Sequence, residues 1–175
     1  MRYVALLRGI GPMNPNMRNE KLRGVVEALG GTDVTTVISS GNVVFDSPQR
    51  SVPRLEARLE AAWPERLGFR STTIVRSARQ VRDLVAGDPF GERADEPGAR
   101  LNVTFLKRPP AAGLLEASPP PPDLGEVVAV TDGAVLTVMD ETAGTPDLMR
   151  WLERTFGREI STRTWKTVHR IAARL

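Results

Sequence analysis

The chain has no cysteine among its 175 residues and a single histidine, His169. The first absence excludes disulfides, thiolate metal sites, iron–sulfur clusters and a cysteine nucleophile. The second excludes histidine-rich zinc sites and paired-histidine catalysis within one chain. No cofactor is expected, and a carboxylate-bound magnesium is the one metal chemistry left open. Long apolar runs are missing too. The first strand-like segment reaches Arg8 after the five apolar positions Tyr3 to Leu7, too few for a signal-peptide core, and no window approaches a membrane span. A cytoplasmic protein without membrane contact is therefore expected. Lysine is scarce, so the basic residues are nearly all arginine.

What is present is globular. At 41% hydrophobic and 26% charged residues the chain has enough apolar content for one domain or two small ones. The formal charge of +3 is a small footprint. Arginine holds its charge and makes forked contacts with phosphates and carboxylates, which leaves room for an anionic partner. Arginines spread over solvated helix faces explain the same composition.

Periodicity gives the elements. Arg2 to Arg8 alternates and reads as a strand, followed by the Gly/Pro/Asn loop Arg8 to Asn16. Leu22, Val25, Val26 and Leu29 fall at helical spacing within 17–29, with Asn16 or Asn19 as N-cap and Gly30-Gly31 as stop. Val34 to Ser39 and Val43 to Asp46 read as a hairpin around a two-residue Gly41-Asn42 turn. Ser51 and Pro53 open a helix that buries Leu55, Leu59 and Ala62 and that Trp63-Pro64 is expected to stop. Arg70 to Arg76 is a strand, and Ser77-Ala78-Arg79-Gln80 is a capping box that opens another helix.

The second half repeats the order. Arg100 to Lys107 is a strand, Pro110 to Glu116 a weak helix, and 126–131 with 134–140 a hairpin around Asp132-Gly133. Thr145-Pro146 caps a helix carrying Leu148, Trp151, Leu152 and Phe156, closed by Gly157. Arg158 to Ser161 is a short strand, and Thr162 or Thr164 opens a last helix with Trp165 and Val168 on its apolar stripe. A β-α-β-β-α-β order recurring twice implies an α+β fold of two tandem ferredoxin-like (split β-α-β) subdomains with antiparallel sheets and an extra helix after each. The division is 1–87, a linker 88–99, and 100–175.

That topology brings the loop after the first strand and the hairpin turn to one end of the first half. Arg8, Asn14, Asn16, Ser39, Ser40 and Asn42 are thus the candidate ligand-binding residues. The N-terminus of the first helix points there and favours an anion. The asparagines equally suit turn and cap duties.

Four separated motifs then carry a resemblance: Leu6-Leu7-Arg8-Gly9-Ile10, the run from Asn14 to Leu22, Ile38 to Phe45, and Thr162 to Val168. In order and spacing they resemble domain-of-unknown-function family 1697, uncharacterised bacterial proteins. The resemblance implies a tandem pair of ferredoxin-like subdomains and no established activity. Family members usually have Asn where this chain has Gly11, and many have a Val-Gly-Gly loop where it has Pro12 to Asn16. Loop chemistry depending on that Asn has no counterpart here.

Arg163 and Lys166, among the hydroxyls and indole of Ser161 to Thr167, are further candidates for phosphate contact. Trp165 on the apolar stripe and solvated Arg163 and Lys166 form the alternative, and His169 reads as a helix-surface residue. A binding module for an anionic partner, a nucleic acid or a phosphorylated ligand, is the preferred function. A small-molecule enzyme or sensor at the same end, with Glu20 or Asp46 as acid or base, is the second reading, and protein interaction through an exposed sheet face the third. Arg2 to Leu7 and Ser40 to Phe45 match the RNA-recognition strand motifs only in part, so no RNA-recognition domain is assigned.

Overall fold

The computed structural model describes residues 1–9, 13–39, 41–140 and 145–175. They form an α+β structure with two four-stranded antiparallel sheets and six α-helices. Contacts divide the chain into two compact units, Met1–Ala86 with Val168–Leu175, and Gly87–Thr167. This division differs from the sequence boundary at the chain's end, where residues from Val168 onward group with the first unit.

The first unit contains β1 (Arg2–Leu7), α1 (Asn19–Ala28), β2 (Thr32–Thr36), β3 (Asn42–Asp46), α2 (Val52–Leu67), β4 (Thr73–Ser77) and α3 (Ala78–Ala86), with strand order β2-β3-β1-β4. β1 sits inside because it is apolar on both faces. Tyr3, Ala5 and Leu7, with Val43, Phe45 and Val75, meet Leu22, Val25 and Val26 of α1 and Leu55, Leu59 and Trp63 of α2. Val4, Leu6, Val44 and Ile74 alternate to the other face and are buried as well. At one end of the sheet Arg2 ties the strands together, its Nη1 donating to Asp33 Oδ2 at 2.6 Å and to Asp46 Oδ2 at 3.1 Å. Its Nη2 donates to Arg174 O at 3.0 Å.

Three sequence expectations change here. The helix expected to stop at Trp63-Pro64 continues to Leu67 and ends at Gly68, whose φ of 72° supplies the left-handed cap. Pro64 lacks an N–H, yet the turn around it is held by Trp63, whose indole N–H donates to Thr73 Oγ1 at 2.8 Å and whose ring stacks on Phe69. The strand expected from Arg70 begins only at Thr73. Gly41-Asn42 is not a two-residue turn: Asn42 already belongs to β3, paired with Leu6, and Val37 N–H donates to Asn42 O at 3.0 Å around a four-residue loop. The capping box is present, with Gln80 N–H donating to Ser77 Oγ at 3.3 Å and Ser77 N–H to Gln80 Oε1 at 3.0 Å.

The second unit contains β5 (Ala99–Leu106), α4 (Leu114–Ala117), β6 (Glu126–Val130), β7 (Ala134–Asp140), α5 (Thr145–Phe156), β8 (Ile160–Thr164) and the start of α6 (Trp165–Ala172), with strand order β6-β7-β5-β8. Its core sets Leu106, Val135, Met139 and Ile160 against Leu148, Trp151 and Leu152. The helix expected at 110–116 is reduced to four residues by its flanking prolines. The Pro-rich loop that follows is pinned to α5, Trp151 Nε1 donating to Ser118 O at 3.3 Å. Thr164 caps α6, its Oγ1 accepting from Thr167 N–H at 3.3 Å. The side chain of Thr145, expected as a cap, lies outside the described residues.

β4 is an edge strand whose outward N–H groups are taken by side chains. Thr73 N–H donates to Glu60 Oε1 and Val75 N–H to Glu56 Oε1, both at 2.9 Å, while Gln80 serves Ser77. Glu56 and Glu60, one turn apart on α2, thus cover an edge that would otherwise invite strand pairing. Glu60→Ala is expected to lower the urea unfolding free energy by about 1–3 kcal/mol and to raise aggregation measured by light scattering. Glu60→Gln, which keeps the accepting carbonyl, is expected to recover most of the loss.

Candidate functional site

The loop after β1, the β2–β3 loop and the loop before β4 meet at the opposite end of the first unit from Arg2. Leu7 N–H donates to Gly41 O at 2.9 Å, and Arg8 N–H donates to Thr72 O at 2.9 Å and is also within 3.0 Å of Ser71 Oγ. Gly41 is required where it stands. Its φ is +71°, and a Cβ there would sit 2.9 Å from Leu7 Cβ.

Neither Asn16 nor Asn19, the residues expected to cap α1, does so, and Asn19 is instead the helix's first residue. Asn14 caps the preceding 3-10 turn, Pro15–Met17, by accepting from Asn16 N–H. Asn16 donates from Nδ2 to Leu67 O at 2.9 Å and accepts from Lys21 Nζ at 2.6 Å, joining the start of α1 to the end of α2. The N-cap position is Arg18, with no side-chain hydrogen bond to the first turn. The reason is geometric: the 3-10 turn uses up the asparagines one turn too early.

An open cleft of about 410 Å³ results, lined by Met17, Arg18, Asn19, Glu20, Arg23 and Ser39. Arg18, Glu20 and Arg23 are exposed, and among the described residues neither arginine has an ion-pair partner. Asn19 Oδ1 is buried without a hydrogen-bond partner. Next to Ser39, Ile38 holds a φ of 51°, costly for a β-branched side chain, and is 39% exposed.

Of the residues singled out from the sequence, Ser39 lines the cleft and Arg8, Asn14 and Asn16 build the surrounding loops. Asn42 is fully buried beneath the loop, donating from Nδ2 to Val37 O at 2.9 Å, so it shapes the turn from below. Ser40 and Gly11 lie outside the described residues. Asp46, considered as an acid or base here, is at the far end of β3 against Arg2. Arg163 and Lys166 belong to the second unit. Arg163 Nη1 donates to Thr162 O at 2.8 Å and Ser161 Oγ at 3.0 Å, and burial pulls its guanidinium down to about 10. Lys166 is exposed on the first turn of α6. Arg18 and Arg23 went unremarked in the sequence because they sit on the polar face of an amphipathic helix, where charge is ordinary. Among the described residues no three carboxylate or histidine groups gather as a metal site.

Residues 1–136 match the family model "Protein of unknown function (DUF1697)". The chain belongs to this family. A conserved bacterial protein from Streptococcus pneumoniae has a similar solved structure, with a TM-score of 0.74 at 21% identity over 98% of this chain and 96% of that one. At that identity the likeness speaks for the fold. Comparison with curated proteins finds no match. The motifs around Arg8, Asn14 to Leu22 and Ile38 to Phe45 all fall within the matched residues, so the cleft is built from the part of the chain that places it in DUF1697.

Ile38→Asn is expected to stabilise the free protein by about 1 kcal/mol, since Asn tolerates the left-handed region and little apolar burial is lost. Thermal denaturation checks it, and an unchanged or lower midpoint would show that Ile38 packing outweighs the strain.

Proposed function

We propose that the first unit binds a phosphorylated or similarly anionic ligand in the cleft at the start of α1, and acts as a binding module. One observation carries this reading: Arg18 and Arg23, unpaired among the described residues, flank an uncapped helix N-terminus and the Ser39 side chain in one cleft. Guanidinium groups, free backbone N–H groups and a hydroxyl are the donors that phosphate and carboxylate oxygens use. Glu20 gives the cleft one negative charge, which suits a ligand that also carries a hydroxyl or cationic group. A base-stacking nucleic acid platform has less support, because Val4, Leu6, Val44 and Ile74 on the sheet face away from the α1/α2 core are aliphatic and buried.

The same proposal reads each sheet, with its helices, as a ferredoxin-like split β-α-β unit and the two as an internal repeat. Strand orders β2-β3-β1-β4 and β6-β7-β5-β8 support it. So does a parallel detail. Arg76 on β4 and Arg163 on β8 occupy the fourth position of the last strand, each donating from Nη1 to the preceding carbonyl, at 2.9 and 2.8 Å. Both are lowered by burial, Arg76 with Glu56 opposing the shift. Each precedes the Ser or Thr that caps the following helix.

The test is a thermal-shift series with orthophosphate, sulfate and phosphorylated metabolites at low salt. A ligand at 100 times its dissociation constant is expected to stabilise by about 2.7 kcal/mol. Arg18→Ala/Arg23→Ala is expected to abolish the shift without changing the ligand-free midpoint, because both side chains are exposed. A shift that survived the double substitution would move the site elsewhere.

A further inference from the structure

We infer that the ligand of this cleft carries two or more linked phosphate groups, an inference that rests on the anion-binding reading above. The observation is the positive charge carried by the segments that meet at this end of the first unit. The described residues of the segments 8–23, 37–41 and 65–72 meet at this end, joined by the Leu7–Gly41, Arg8–Thr72 and Asn16–Leu67 hydrogen bonds. They contain six cations, Arg8, Arg18, Lys21, Arg23, Arg66 and Arg70, against two carboxylates, Glu20 and Glu65. That local excess is larger than the formal charge of +3 of the whole chain, so the remainder of the protein is slightly acidic. The net positive charge is concentrated in these segments.

Two of these six cations, Arg18 and Arg23, line the cleft and the other four stand outside it. Arg66 and Arg70 are exposed beside Leu67 and Ser71, the residues that tie α2 and the following loop to the Asn14–Arg18 segment and to Arg8. Among the described residues neither forms an ion pair. A single phosphate in the cleft is matched by Arg18, Arg23 and the helix N-terminus, and leaves Arg66 and Arg70 without an anion. A chain of phosphates running from the cleft toward the end of α2 engages both sets. No aromatic residue lines the cleft, so recognition is of the phosphates and not of a base.

Isothermal titration at low salt with orthophosphate, tripolyphosphate, adenosine triphosphate and a short single-stranded oligonucleotide tests this. Tripolyphosphate is expected to bind about tenfold or more tighter than orthophosphate, with adenosine triphosphate close to tripolyphosphate. Arg66→Ala/Arg70→Ala is expected to remove most of that advantage while leaving orthophosphate affinity within about twofold. An oligonucleotide binding as tightly as tripolyphosphate, and lost in the same variant, would assign the linked phosphates to a nucleic acid backbone. Equal affinity for orthophosphate and tripolyphosphate would overturn the inference and leave the anion cleft standing. Binding of no anion at all would remove both.

Discussion

Two backbone hydrogen bonds at the end of β1, from Leu7 N–H to Gly41 O and from Arg8 N–H to Thr72 O, both 2.9 Å, tie three loops to one point. Everything proposed for the cleft depends on them. β1 can serve as this anchor because it is paired on both sides and apolar on both faces, so its end is fixed by the sheet and not by the loops themselves. Gly41 lets the β2–β3 loop approach the strand closely enough to make its bond. Met17 fills the space beneath, its Cε lying 3.4 Å from where a Gly41 Cβ would be. The described residues of the loop end are therefore tied to the sheet, an arrangement in which binding residues are often found.

The far edge of the same sheet solves a different problem. β4 pairs with β1 on one side only, and the donors on its outer side are occupied by Glu56, Glu60 and Gln80. Two carboxylates on α2 do the work of a fifth strand, and they can only do it because α2 runs beside β4 for its middle turns. This explains why α2 must continue past Pro64: the turn carrying Trp63 keeps the helix docked against Thr73. Glu56 also lies close enough to the buried Arg76 to oppose the lowering that desolvation imposes on it. Edge protection and charge neutralisation are thus carried by one glutamate, so the two roles cannot be substituted independently.

Most strands and helices were legible from periodicity because the central strands are built on apolar residues that local sequence reveals, whereas β2 runs Thr32–Thr36 and not 34–39, and β8 runs Ile160–Thr164 and not 158–161; the Ser77–Gln80 box was legible because capping is a short-range rule. The errors share a cause. Asn16 and Asn19 looked like caps, and Gly41-Asn42 like a tight turn, because each residue type commonly does that job. The structure assigns Asn16 to Leu67 and Asn42 to Val37, contacts whose partners could not be read from the residue alone. Pro64 failed as a stop signal for the same reason, since a tertiary hydrogen bond from Trp63 outweighed a local penalty. The meeting of the Arg8 and Ser39 segments was legible from topology. Arg18 and Arg23 were not, because which solvated charges face a cleft depends on where the helix starts, and the start moved by one 3-10 turn.

The proposed binding reading draws on where the ionisable groups stand. Enzymes draw acids and bases from groups taken out of water, often beside a histidine. Here the buried charged side chains, Glu56 and Arg76, are committed to β4, and Arg163 to its own strand in the other unit. Glu20 is exposed at the cleft mouth and His169 lies on α6. Exposed guanidinium groups can hold and orient an anion, and arginine keeps its proton while doing so. On the anion-binding reading proposed for this cleft, its donors distinguish ligands by charge and spacing, and the number of linked phosphates is the property to vary.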